Sequence, residues 1–281
     1  MPVFPKSTDI CHRICISIVL PVLILLGTGQ RGMAQFHAWQ QTGGPETGLP
    51  AALAVFPGTG SIAAAPYSGG VYFKEARGAW RLNVTGLSDL YVTALAPEGA
   101  GRFFAGTRGA GVFLYDESTG WNSISNDLPP ETVKALFMTR TGTLLAFVQR
   151  AGLYALPAGH TRWTVAGEGF PPDLYPVVFT VQMMQDTGGR IWAAVNGGVF
   201  FSDDDGYSWT ARNQGLPHLN ISGGITRNGT GMLFAGPAYN GAYASLDEGN
   251  TWSLIDTVGG PKHIRALASD GEGTGLIASD E

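Results

Sequence analysis

Apolar runs of five or six residues alternate along this chain with glycine-rich turns, and the runs follow a recurring grammar. One set reads AALAVF from Ala51, VTALAP from Val92, VKALFM from Val133, VVFTVQ from Val177, ISGGIT from Ile221 and IRALAS from Ile264. A second set follows a turn: RFFAGT from Arg102, TLLAFV from Thr143, RIWAAV from Arg190 and MLFAGP from Met232. A third opens on glycine: GVYFKE from Gly70, GVFLYD from Gly111, GLYALP from Gly152, GVFFSD from Gly198 and GAYASL from Gly241. Runs of this length bounded by turn residues read as β-strands. Beyond the first 34 residues no stretch of about 11 or more keeps a 3.6-residue period, so no helix is expected there. The first set is almost continuously apolar, as expected of innermost strands covered on both faces.

The tryptophans set the period. Trp39, Trp80, Trp121, Trp163, Trp209 and Trp252 stand 41, 41, 42, 46 and 43 residues apart, and only Trp192 falls off this register. After five of them comes a turn reading Gly48-Leu49-Pro50, Gly86-Leu87-Ser88, Asp127-Leu128-Pro129, Gly169-Phe170-Pro171 or Gly215-Leu216-Pro217. Four short strands in a unit of about 42 residues are the signature of a propeller blade. The expected class is all-β: a β-propeller of four-stranded blades, five complete and a sixth partial, over residues 35–281. Trp39 would lie on a fourth strand with none before it, and the last two runs supply only two strands. The expectation is a chain truncated at its C-terminus, from a parent of six or seven blades.

Residues 1–34 read as a signal peptide. Lys6, His12 and Arg13 precede an uncharged run from Ile14 to Leu26, and Gly32-Met33-Ala34 offers a small-residue cleavage site. The run is shorter than the roughly 20 residues a spanning helix needs and contains Pro21, which disfavours an uncleaved anchor helix. Cleavage after Ala34 removes Cys11 and Cys15 and leaves 14 basic and 21 acidic residues, so the formal charge of −5 becomes −7. The mature chain is then exported, secreted or periplasmic, without disulfides and without membrane insertion.

Two repeats carry the same octapeptide at the turn into the tryptophan strand. Ser202-Asp203-Asp204-Asp205-Gly206-Tyr207-Ser208-Trp209 and Ser245-Leu246-Asp247-Glu248-Gly249-Asn250-Thr251-Trp252 both read S-x-D-x-G-x-[ST]-W. This resembles the Asp-box of BNR-repeat β-propellers, shared by sialidases, sortilin-type receptors and photosystem-assembly-like factors. The spacer followed by V-x-A-L is similar to the two-component-regulator propeller repeat. Elsewhere the box is degenerate: Phe73 to Trp80 keeps only a glycine, one position later at Gly78, and the tryptophan. In the box, Ser202, Asp204, Gly206 and Trp209, like Ser245, Asp247, Gly249 and Trp252, are expected to be structural. The carboxylate accepts turn N–H groups, the glycine takes a positive φ and the tryptophan pins the hairpin. Calcium held by Asp203-Asp204-Asp205 is the sharper alternative.

Composition narrows the function. Charged residues are only 14% of the chain against 44% hydrophobic, which excludes a disordered chain. The acidic balance argues against nucleic acid. Forty-one glycines, roughly twice the usual share, mark the turns. Gly27-Thr28-Gly29-Gln30-Arg31-Gly32 matches a dinucleotide fingerprint only by chance, with no βαβ unit around it. The sequons at Asn83, Asn220 and Asn228 fit composition. Five scattered histidines lack metal-ligand spacing, so no metal and no cofactor is expected.

In a four-strand meander, the turns between second and third strands share a face with the inter-blade linkers. That face would collect Tyr67, Arg108, Arg150, Asn196, Tyr239 and Asn240, with Tyr91, Glu131, Tyr175, His218 and His263 from the linkers. Such a mixture suits an unidentified glycan or a protein or peptide segment. The favoured function is a non-catalytic binding or assembly module, with no catalytic residue assigned. The alternative is a sialidase-like glycoside hydrolase. Against it, only Arg108 and Arg150 stand at matching positions, the F/Y-R-I-P motif is absent, and Glu131 and Asp173 are the only linker candidates for the paired carboxylates.

Overall fold

A computed structural model describes residues 50–56, 59–99, 101–171, 181–255, 263–269 and 275–280. The expected leader, Trp39, Asp173 and Tyr175 lie outside these residues. The first blade is β1 (Pro50–Val55), β2 (Ile62–Pro66), β3 (Val71–Lys74) and β4 (Arg81–Asn83). The second is β5 (Val92–Gly99), β6 (Arg102–Thr107), β7 (Val112–Asp116) and β8 (Gly120–Ser123). The third is β9 (Val133–Met138), β10 (Leu144–Val148), β11 (Gly152–Leu156) and β12 (Thr164–Ala166). The fourth is β13 (Val181–Gln185), β14 (Ile191–Val195), β15 (Gly198–Ser202) and β16 (Thr210–Ala211). The fifth is β17 (Ile225–Arg227), β18 (Leu233–Ala235), β19 (Tyr243–Ser245) and β20 (Ser253–Leu254). A two-stranded sheet, β21 (His263–Ser269) and β22 (Gly275–Asp280), follows.

Each blade is an antiparallel meander in sequence order, and the first strands of successive blades stand side by side. The described residues contain no helix. The architecture expected from the repeat is therefore the one observed: a β-propeller of four-stranded blades.

One strand differs from expectation: of the run from Ile221, only Ile225 and Thr226 lie in a strand, β17 (Ile225–Arg227), and Gly224 stands just before it at φ 83°. The run from Val177 is described only from Val181, where β13 begins.

Burial also differs from expectation. The innermost strands are not the most enclosed; β10, β14 and β15 are buried at every position, whereas β9 and β13 are mostly half-buried. The reason is alternation. Leu145 and Phe147 of β10 pack toward the fourth blade, with Ile191, Phe200 and Trp209, while Leu144, Ala146 and Val148 pack toward the second, with Phe104. Both faces of a middle strand meet a neighbouring blade, so both need apolar side chains.

The core is therefore a series of inter-blade layers, each from the second blade onward including the later blade's tryptophan: Trp121, Trp163, Trp209 or Trp252. Three of these indoles donate backward to the preceding blade's chain: Trp121 to the Asn83 carbonyl at 3.0 Å, Trp163 to Ile124 at 2.7 Å, Trp252 to Arg212 at 2.8 Å.

The spacer turn is tied to the same tryptophans. The Trp121, Trp209 and Trp252 amides donate to the carbonyls of Thr85, Glu168 and Gln214. The next residue is Gly86, Gly169 or Gly215, where φ is 89–96° and a Cβ would stand 2.1–2.3 Å from the tryptophan's carbonyl oxygen. No side chain fits. In the third unit Asp127 takes this place at φ 67°, and its carboxylate instead receives both arms of Arg162 at 2.8 and 3.1 Å.

Candidate functional site

The turns after the second strands and the inter-blade linkers are hydrogen-bonded to one another. Arg108 N donates to the Tyr91 carbonyl, Gln149 N to that of Thr132, and Ala238 N to that of Asn220, at 2.8–2.9 Å. These bonds bring sequence-distant site residues onto one face, where they form separate groups.

Across the first two blades, Tyr67 meets Tyr91 edge to face at 6.3 Å, and the Arg108 guanidinium lies 5.7 Å from the Tyr91 ring centroid. Tyr67 is 69% exposed and Tyr91 44%. Arg108 is exposed and forms no salt bridge among the described residues. Its place is set by Asp89, whose two oxygens accept from the Tyr91 and Gly109 amides at 2.9 Å each. One carboxylate thus holds the linker and the turn together. The sequence reading missed Asp89; its local signal is the Asx-turn spacing to Tyr91.

In the third blade Arg150, at φ 63°, pairs loosely with Glu131 at 3.5 Å. Both side chains are solvent-exposed, so the pair contributes little to stability. At the fifth and sixth sheets Tyr239 stands edge-on to His218 at 5.9 Å and to His263 at 4.4 Å. Asn240, at φ 71°, places its amide nitrogen 3.1 Å from the His218 Nε2. Asn196 sits half-buried in the β14–β15 turn.

The octapeptide turns lie on the opposite face, with the turns between first and second strands. In the fourth blade Ser202 Oγ donates to Asp204 at 2.8 Å and accepts from Gly206 N at 2.9 Å. Asp204 also receives the Ser208 amide at 2.8 Å and hydroxyl at 2.5 Å. In the fifth blade Ser245, Asp247, Gly249 and Thr251 repeat the pattern, with Thr251 donating at 2.8 and 2.6 Å. The Thr251 hydroxyl and amide and the Ser245 hydroxyl hold the Asp247 carboxyl down at about 2. Asp204 is also lowered: burial opposes this, but the bonds from Ser208 and Ser202 prevail. In both boxes the carboxylate oxygens that calcium would need already accept hydrogen bonds.

The same face carries an ion-pair network absent from the sequence reading. Arg190 donates to both oxygens of Asp203 at 2.7 and 3.0 Å and lies 3.8 Å from Glu248. Arg227 bridges Glu248 at 2.6 Å and Asp186 at 2.7 Å. Asp186, whose side chain is only 5% exposed, also accepts from the Trp192 indole at 3.2 Å. The network links the fourth and fifth blades.

No protein-family model matches the chain, and comparison with curated protein sequences returns no match. Solved structures do resemble it. The extracellular domain assigned to a hybrid two component system of B. thetaiotaomicron aligns at TM-score 0.61 and 15% identity, over 82% of this chain and 31% of that one. An ancestral GH74 enzyme aligns at 0.63 and 16%, over 79% and 33%. YCF48 bound to D1 peptide aligns at 0.60 and 16%, over 83% and 76%. The chain thus spans about a third of the length of the first two. Together with the blade geometry, these likenesses establish that the chain folds as a β-propeller.

Proposed function

We propose that this chain is an extracytoplasmic, non-catalytic binding or assembly propeller that takes a glycan or a protein or peptide segment on its linker face. The observation carrying this reading is the pair of exposed aromatic clusters. Tyr67, Tyr91 and Arg108 form one at the first two blades; His218, Tyr239, Asn240 and His263 form the other at the last two sheets. Exposed tyrosines beside a guanidinium without a carboxylate partner offer contact area and an anchoring charge. Similar propellers support this use: one is an extracellular domain and another binds a peptide. The leader-like first 34 residues agree with export. The two octapeptides belong in this reading to Asp-box repeats that shape the opposite face.

The test is a glycan and peptide array probed with the mature chain. A specific signal lost on Tyr67→Ala or Arg108→Ala, with the melting curve unchanged, supports the reading. A signal indifferent to all seven cluster residues overturns the site.

The GH74 likeness keeps a glycoside hydrolase as the second reading. Glu131, paired with Arg150, is the described acid on which it would rest. Turnover of a fluorogenic glycoside that disappears in Glu131→Gln would establish it.

A further inference from the structure

The first blade keeps, on the side away from the second, the surface that every later blade buries. In the second blade Leu95, Phe103, Phe113 and Trp121 are buried against the first, with Leu95 9% exposed. By strand pairing the first blade presents Leu53, Val55, Ile62, Tyr72 and Trp80 at the corresponding places. Leu53 is 61% exposed and Val55 56%. The Trp80 indole N–H is enclosed and has no hydrogen-bond partner among the described residues. An enclosed donor left unpaired is costly, and the fold shows what satisfies it elsewhere.

Trp121, Trp163 and Trp252 donate to the carbonyls of Asn83, Ile124 and Arg212. Each acceptor lies three residues after the preceding blade's tryptophan: Trp80, Trp121 and Trp209. The same step from Trp39 arrives at Thr42. The connection also has the right length. Nine positions separate Asn83 from Val92 and Ile124 from Val133, and eight separate Thr42 from Pro50.

We propose that residues 37–47 of this chain dock across the outer half of that face, with the Thr42 carbonyl accepting from the Trp80 indole. The segment then acts as the outer strand of a blade preceding the first. A second copy of the chain would be the competing occupant.

The repeat supplies a cross-linking test. A Cβ on Gly249, three residues before Trp252, would stand 3.3 Å from the Arg212 Cβ, close to disulfide geometry. The corresponding pair is Arg77 and Thr42. In the full chain with Cys11→Ser and Cys15→Ser, the double substitution Thr42→Cys and Arg77→Cys should oxidise to an intramolecular disulfide. Thr42→Cys with Glu117→Cys should not. Free thiols under the same oxidant, or disulfide-linked dimers alone, overturn the proposal. If the cysteine variant does not fold, hydrogen exchange on the unsubstituted chain decides. Amides of residues 37–47 should exchange at least tenfold slower than in a free peptide. Trp80→Phe should reduce that protection several-fold while β9–β12 keep theirs. An unprotected segment, or one indifferent to Trp80→Phe, overturns it.

Discussion

Gly86→Ala separates two costs that usually travel together. Gly86 and Gly189 have nearly the same conformation, at φ 89° and 92°. Their surroundings differ: a Cβ on Gly86 would stand 2.2 Å from the Trp121 carbonyl oxygen, whereas one on Gly189 meets nothing within 4 Å. Placing an L-residue at positive φ costs about 1–2 kcal/mol at either site. At Gly86 the backbone of Trp121 must also move, adding roughly 1–3 kcal/mol of overpacking. Gly189→Ala should therefore cost about 1–2 kcal/mol and Gly86→Ala about 2–5. At roughly 2–4 °C per kcal/mol for a domain of this size, thermal melts of the mature chain resolve the difference. The third unit already carries a natural version of the change, since Asp127 occupies the corresponding turn and recruits Arg162 as a new tie. Equal melting temperatures for the two alanine variants would refute the claim that close approach, rather than φ alone, demands glycine in the spacer.

Other outcomes follow from the same geometry. Trp121→Phe removes the donor to the Asn83 carbonyl and should lower stability by about 1–3 kcal/mol in urea titrations, with the ring's remaining contacts retained. Arg227→Ala leaves the buried Asp186 carboxylate without its cation and should cost about 3–5 kcal/mol, whereas Arg162→Ala at a solvent-exposed pair should change stability far less. Paired melts of the two variants check that ordering. Because Asp247 titrates near 2 when folded and near 3.8 otherwise, its stabilisation is complete above about pH 4 and fades as pH falls toward 2. Melts of the chain and of Asp247→Asn should converge over that interval; a constant gap would show that the carboxylate is not ionised in its hydrogen-bonded turn.

Much of the site was legible only as a list of turn residues. Tyr67, Tyr91 and Arg108 were placed on one face by counting strands, but nothing local says that Asp89 ties the linker to the turn. Likewise Tyr239 and His218 are 21 residues apart, and their meeting with His263 needs two neighbouring sheets. The ion-pair network was invisible for the same reason: Arg190 and Glu248 look like ordinary surface charges until the fourth and fifth blades are placed together.

By itself the sequence determined the blades. A strand's alternation and a turn's glycine are local, and the tryptophan period repeats them often enough to identify the unit. The spacer glycines were legible as turns, but only the tertiary structure shows why they must be glycine, because the obstructing carbonyl belongs to the next blade. The exposed flank at Leu53 and the Trp80 donor with no partner among the described residues are likewise decisions of the assembled fold. Every blade carries nearly the same pattern, so local residues cannot say which face has a neighbour; contacts some 40 residues apart decide that.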